Sequence, residues 1–452
     1  MPIPFPQAFT ERLHLTAGAD TPVLLDALQG TPPVSVRWNP YKTQSPAQGT
    51  PVAWCRYGRY LPLRPSFTTD PLFHAGAYYV QEASSMFVEH LLRSAAEPDG
   101  ARILDLCAAP GGKATLYATL AGGEGIVVAN EVIRNRALTL ADNIRKWGIG
   151  NTVVTNNDPA HFAGLSEWFD IVAVDAPCSG EGMFRKHPEA REEWSEANVQ
   201  LCAGRQRRIL SDAWEALRPG GLLIYSTCTF NREENEENVR WIAGELGGED
   251  AGVAVPAEWG IQESEADGIR CFRFWPHQIT GEGFFAAAIR KGGQRGRPVR
   301  PKPRKTLFAD ASRSETAELS RWVGQPGLMR FARIGDNLYG YYAVPFADIR
   351  SIGEHLNTLH SGVCMGQLFG GRLKPDHSLA MFHDLARSAA AETPLSYDDA
   401  LHYLRREEFS PQTAPDEGMN LMTFEGYALG WAKRIGNRIN NLYPKSQMIL
   451  YK

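Results

Sequence analysis

Cysteine is sparse and scattered: seven among 452 residues, at 55, 107, 178, 202, 228, 271 and 364, never closer than 24 residues apart. An odd number at that spacing excludes a disulfide scaffold and a CxxC metal site, so no metal is expected and the thiols read as reduced. Long apolar runs are also missing. No stretch of about 18 apolar residues occurs, and the opening MPIPFPQAFTERLH lacks the basic, apolar and small-residue order of a secretory signal. The expectation is a cytoplasmic protein without a membrane partner. Neither GxGxxG nor GxxxxGK[ST] is present, which removes the dinucleotide and P-loop fingerprints and with them a Rossmann oxidoreductase. There is no internal repeat. Nor is there an excess of positive charge: the net charge is -4, which taken alone disfavours a nucleic-acid partner.

What is present is ordinary in bulk and informative in detail. Hydrophobic residues at 43% and charged residues at 22% belong to a globular chain, and the length implies two to four domains. Between residues 100 and 290, apolar runs at 102–106, 125–129, 169–174 and 221–226 alternate with helical patterns at 133–147, 189–217 and 233–246. Nearly continuous apolar strands separated by helices predict a doubly wound α/β domain with a mostly parallel sheet. Two further runs, 270–275 and 283–289, predict a closing antiparallel hairpin. The organisation expected is an N-terminal region 1–95, a core 96–292, a basic linker 293–305, a first C-terminal domain 306–385 and a last domain 386–452.

Charge is segregated along the chain. RKGGQRGRPVRPKPRK at 290–305 has eight Lys or Arg and no acid, and the last 22 residues carry five basic residues and no acid. Acid gathers elsewhere, as in REENEEN at 232–238. The mean therefore conceals basic tracts able to follow phosphates, and the objection to nucleic acid weakens.

DLCAAPGGKAT, residues 105–115, follows the first strand. Small residues and a Gly-Gly pair there let a ligand approach the backbone at a helix N-terminus. Glu131 ends the second strand, where a carboxylate can accept from both ribose hydroxyls, so an adenosine-type ligand is expected. Asp158, after the third strand, reads either as a partner for an adenine amino group or as an Asx turn before Pro159. Asp175 ends the fourth strand.

VDAPCSGEGMFRK brings Cys178 close to Asp175, and LIYSTCTFNREENEENV puts Cys228 at the end of the next strand. Two thiols and an acid beside an adenosine ligand suit methylation at carbon 5 of a pyrimidine. A thiolate adding at carbon 6 makes carbon 5 nucleophilic, an acid near nitrogen 3 offsets the developing charge, and a base then removes the carbon-5 proton. By analogy with DNA cytosine-5 methyltransferases, where a Pro-Cys cysteine attacks, Cys178 would be the nucleophile.

Together DLCAAPGGK, NEVIRNRALTLADNIRKWG, DAPCSGEGMFRK and YSTCTFNREENEENV resemble the RNA 5-methylcytosine methyltransferases of the Sun and nucleolar-protein type, most nearly the bacterial RsmF branch acting on small-subunit ribosomal RNA. VRWNPYK and YYVQEASSM resemble that family's N-terminal RNA-binding region. SGVCMGQLFGGRLKPDHSLAMF and GYALGWAKRIGNRINNLYPK resemble its PUA-like C-terminal extension. The resemblance implies a Rossmann-like methyltransferase core with small α+β N-terminal and PUA-like C-terminal RNA-binding domains. It implies S-adenosylmethionine held by Cys107, Ala108, Ala109, Pro110, Gly111, Gly112 and Lys113, with Glu131 on the ribose, Arg136 nearby, Asp158 at the adenine and Asp175 beside the methyl donor and the base. It assigns attack to Cys228 and product release to Cys178. The implied substrate is small-subunit ribosomal RNA, free or in the assembled subunit, and nothing in the sequence requires more than a monomer. Transfer RNA as substrate and a non-catalytic ribosome-assembly role are the alternatives.

Overall fold

The computed structural model describes residues 3–43, 49–293 and 308–450. The apolar runs between 100 and 290 become the centre of a ten-stranded sheet. Strands β1 (Arg102–Asp105), β2 (Ile126–Asn130), β3 (Thr152–Thr155), β4 (Phe169–Asp175) and β5 (Leu217–Thr227) run parallel to one another. Side chains alternate between two cores, because successive residues of a strand point to opposite faces. Leu104, Val128, Val172 and Leu223 fill one core, and Ile103, Val127, Ile171 and Leu222 fill the other. Helices α1 (Gly112–Ala121), α2 (Arg134–Trp147), α3 (Glu196–Ala216) and α4 (Glu236–Leu246) follow β1, β2, β4 and β5. In α2 the buried residues Ala137, Leu140, Ala141, Ile144 and Trp147 recur at helical spacing.

The sequence reading differs from the structure in three elements. The helix expected over 189–217 is broken in two: a single turn, Ala190–Glu193, precedes the long helix that begins at Glu196. Trp194 is extended and buried against Phe9, and the Ser195 hydroxyl caps the helix by accepting from Asn198 N. The expected hairpin is larger. β6 (Gly248–Asp250), β7 (Gln262–Ala266), β8 (Ile269–Phe274) and β9 (Phe284–Lys291) are all antiparallel to their neighbours, and β9 joins the core at β5. The sequences of β6 and β7, GED and QESEA, are polar and gave no strand signal. Finally β10 (Thr358–Ser361), from the region expected as a separate C-terminal domain, pairs antiparallel with β3 and closes the other edge of the core sheet.

The strand order is β7-β8-β9-β5-β4-β1-β2-β3-β10, with β6 beside β9. The chain leaves β1 toward β2 and returns to the other side at β4, so a crevice opens at the carboxyl ends of β1 and β4. Before the core lie helices Gln7–Ala17 and Thr21–Ala27 and a four-stranded sheet of Val34–Trp38, Thr50–Pro51, Gly58–Leu61 and Tyr78–Val80. Buried Arg37 reaches from it into α1, donating to Gly112 O at 3.0 Å and Thr115 Oγ1 at 2.6 Å. After the core, a five-stranded and a four-stranded sheet meet at Trp322 and Trp431, whose rings lie 5.9 Å apart. The expected basic linker, beyond Gly293, lies outside the described residues. Among the described residues no helix is long and apolar enough to cross a membrane.

Candidate active site

The loop after β1 is shaped for a ligand at its backbone. Gly111 has φ +118°, a conformation that glycine adopts without strain, and its turn releases the first amides of α1 toward the crevice. The Ala108 amide donates to Asn130 O at 2.8 Å, fixing the loop to the end of β2. Cys107 lies in the same loop, where burial and then the Asp105 carboxylate push its thiol pKa up. The Ala109 carbonyl accepts from Arg136 Nη2 at 3.0 Å.

Arg136 also pairs with Glu131 at 3.3 Å, and the other Glu131 oxygen accepts from Ile133 N at 2.9 Å. Glu131 is buried and fixed at the end of β2. Asp158 caps a 3-10 helix, its carboxylate accepting from Ala160 N at 3.1 Å. Of the two readings of its sequence, the Asx turn is formed. It stands at a strand end of the same sheet edge, bonded to its own turn and not to the other candidates.

Asp175, Lys113 and the two thiols form a tighter group. Lys113 Nζ lies 2.9 Å from Asp175 Oδ2 and 5.2 Å from the centre of the Phe284 ring. The Ser226 hydroxyl donates to Asp175 Oδ1 at 2.8 Å. Burial is the largest single influence and opposes the Lys113 charge, but Asp175, together with Asp105 and Cys228, outweighs it and the net shift is upward. Cys178 Sγ and Cys228 Sγ are 3.2 Å apart. That contact, followed by burial, raises the Cys178 thiol pKa well above its ordinary value, with the nearby Cys228 and Glu234 charges adding to the rise.

Several residues that hold this arrangement were not singled out in the sequence. Glu234 is fully buried, and its carboxylate accepts from Ser179 N at 3.0 Å, Asn231 Nδ2 at 2.7 Å and Gln206 Nε2 at 2.7 Å. It thereby ties the Cys178 loop to the segment after Cys228. Glu181 does the same in reverse, accepting from the amides of Phe230 and Asn231 at 2.9 Å each. Gly182 N donates to Cys228 O at 2.9 Å. The acid-rich stretch 232–238 is thus only partly a solvated face. Glu234 and Glu236 point inward, the latter in a buried pair with Arg273. The one available signal was their place within the motif that carries Cys228, which the charge run obscured.

Asp105 was also passed over. It is buried at 1% exposure, and neither carboxylate oxygen makes a well-formed hydrogen bond. Burial, then the Asp175 charge, push its pKa up to about 8. A buried carboxyl with no well-formed hydrogen bond, open glycine backbone at a helix start and a buried acid at the next strand end suit a cationic ligand with an adenosine end. The residues present therefore fit S-adenosylmethionine.

Parallel strands in this order, with a ligand crevice at their carboxyl edge and a thiol pair beside it, define a Rossmann-like, S-adenosylmethionine-dependent methyltransferase. The family model described as 16S rRNA methyltransferase RsmB/F matches residues 94–290. Those for the N-terminal domain of 16S rRNA methyltransferase RsmF and for the methyltransferase RsmF PUA domain match 5–83 and 390–448. Ribosomal RNA small subunit methyltransferase F of Klebsiella pneumoniae (strain 342) is 34% identical over 428 residues, which covers 88% of this chain and 84% of that one. Its namesake from Enterobacter sp. (strain 638) is 33% identical over 430 residues, covering 90% and 85%. Among solved structures, a methyltransferase homolog protein from Pyrococcus horikoshii superposes with a TM-score of 0.54 at 29% identity, over 64% of this chain and 96% of that one. NSun6 from Pyrococcus horikoshii with SFG has a TM-score of 0.55 over 65% and 100%; at 20% identity it shares the fold. The chain belongs to the RsmF family of 16S rRNA methyltransferases.

Proposed function

We propose that this protein transfers a methyl group to carbon 5 of cytosine in small-subunit ribosomal RNA through a covalent Cys228 adduct. The observation that carries the reading is the group Cys228, Cys178 and Asp175 at the carboxyl ends of β4 and β5, met by Lys113 from the first turn of α1. S-adenosylmethionine supplies the electrophilic methyl group. Cys107 to Lys113, Glu131 with Arg136, Asp158 and Asp175 are the residues that would hold it.

Cys228 forms the bond to carbon 6, and the ring electrons move to carbon 5. The proton given up by the Cys228 thiol goes to nitrogen 3, where the Asp175 carboxylate, with the Lys113 ammonium against it, holds it and so offsets the charge gathering on the ring. Carbon 5 takes the methyl group, after which its own proton must leave. Cys178, its Sγ 3.2 Å from Cys228 Sγ, is placed beside the ring to accept it. With Cys228 bonded to carbon 6, the Cys178 thiol gives its own proton to solvent and acts as the thiolate base. Loss of the carbon-5 proton to Cys178 restores the double bond and expels Cys228, which takes back the nitrogen-3 proton.

The base must be unstacked for attack from above its ring, so the target is single-stranded or flipped out. Residues 1–95, 306–385 and 386–452 serve as RNA-contacting units around the 96–292 core, with 293–305 as a basic connection. The protein acts as a monomer in the cytoplasm. The test is a pair of variants incubated with ribosomal RNA and S-adenosylmethionine. Cys178→Ala accumulates a covalent RNA–protein adduct visible on a denaturing gel, and Cys228→Ala forms none. The opposite pattern exchanges the two roles.

A further inference from the structure

A chain of buried amides leads from the cofactor end of the sheet into the C-terminal region. Asn130, at the end of β2, donates to Leu106 O at 3.3 Å and Asn157 O at 3.0 Å. Its Oδ1 accepts from Thr155 Oγ1 at 2.9 Å and Asn157 N at 3.1 Å. One side chain thus ties together the ends of β1, β2 and β3, from which Cys107, Glu131 and Asp158 follow. Asn157 carries the tie outward. Its Oδ1 accepts from Asn357 N and its Nδ2 donates to Asn357 O, both at 3.1 Å, so one side chain pairs with both sides of a single residue's backbone. Asn156 runs parallel to it: its amide donates to Asn357 O at 3.0 Å, and its Nδ2 donates to Glu131 O at 2.7 Å and Val132 O at 2.9 Å. Asn357 immediately precedes β10.

Asn130 and Asn157 are 1% and 8% exposed, so each unmade bond would leave a buried polar atom without water. The turn at Asp158 needs only its own carboxylate and the Ala160 amide. It does not need an amide side chain at 157, and the match of that side chain to the Asn357 backbone supplies the reason for one. We propose that Asn157 is a positioning residue: through it the Asn357 backbone of the C-terminal region holds the Glu131 and Asp158 strand ends at the separation that binds S-adenosylmethionine. This rests on the reading of Glu131 and Asp158 as cofactor-binding residues. By linkage, cofactor occupancy tightens β10 on β3 to the same extent.

The experiment is calorimetric titration of S-adenosylhomocysteine into the full-length protein and its Asn157→Ala and Glu131→Ala variants, with steady-state kinetics alongside. Asn157→Ala is expected to weaken binding about 5- to 10-fold, the loss carried by two ordinary hydrogen bonds. The KM for S-adenosylmethionine rises by a similar factor, while kcat at saturation and RNA affinity stay within about twofold. Wild-type affinity in Asn157→Ala beside weakened Glu131→Ala overturns the inference, as does a fall in kcat with KM unchanged. Wild-type affinity in Glu131→Ala overturns the cofactor-site reading and this inference with it. If Asn157→Ala does not fold, hydrogen exchange of the wild-type protein decides. Amides of 357–361 must slow when S-adenosylhomocysteine binds, and unchanged exchange rejects the tie.

Discussion

At Asp105 the protein keeps a carboxyl where burial opposes its charge, and the consequence is a pH dependence. With a pKa raised from 3.8 to about 8, the folded state binds more protons than the unfolded chain between those values. Stability therefore falls as pH rises through that window. Asp105→Asn removes the fall. The cofactor-free variant melts above the wild type at pH 8, and the difference shrinks toward pH 4 in thermal scans; equal melting temperatures at pH 8 would contradict the assignment. Asp175, Cys178 and Cys228 were legible in sequence because rare residue types stand at predicted strand ends. Asp105 and Glu234 were not. A carboxylate on a strand or in an acidic run looks solvated until the fold shows what surrounds it, and Glu234 meets only donors from three separate segments.

Elements place the thiols by contact between loops. The 3-10 turn Glu181–Met183 lies directly on the Cys228 carbonyl, and a Cβ on Gly182 would stand 2.5 Å from Gly283 O and 2.9 Å from Cys228 O. Both obstacles are backbone, so Gly182→Ala pushes the two cysteine loops apart. Methyl transfer is expected to fall by about 10²-fold, the effect of roughly 1 Å of misplacement. Affinity for S-adenosylhomocysteine is unchanged in the same preparation. The parallel strands were readable from their apolar runs, and α2 from its spacing. The polar strands β6 and β7 and the break before α3 were not, since cross-strand pairing and the burial of Trp194 decide them and neither is local.

At the scale of the whole molecule, the net charge of -4 says little about which face meets RNA. The terminal sheet pairs Tyr427–Ile435 with Arg438–Asn441 so that exposed Lys433 and Arg438 lie on one face, with Ile435 between them. Replacing both by alanine should weaken RNA binding and reduce the slope of log affinity against log salt by roughly 0.7 per lost phosphate contact. An unchanged slope in a binding series across salt would remove this face from the RNA path. The C-terminal units were expected as separate small domains, and the sequence could not show β10, whose four residues TLHS carry no apolar run; Thr358, Leu359, His360 and Ser361 become a strand by pairing with β3. That pairing spans roughly 200 residues of chain, from Thr155 to Thr358. During vectorial synthesis at about 5–20 residues per second, the nascent core waits on the order of 10–40 s with its β3 edge open. An open strand edge is a template for intermolecular pairing, so the newborn chain is most exposed to aggregation and to chaperone capture until Thr358–Ser361 have emerged.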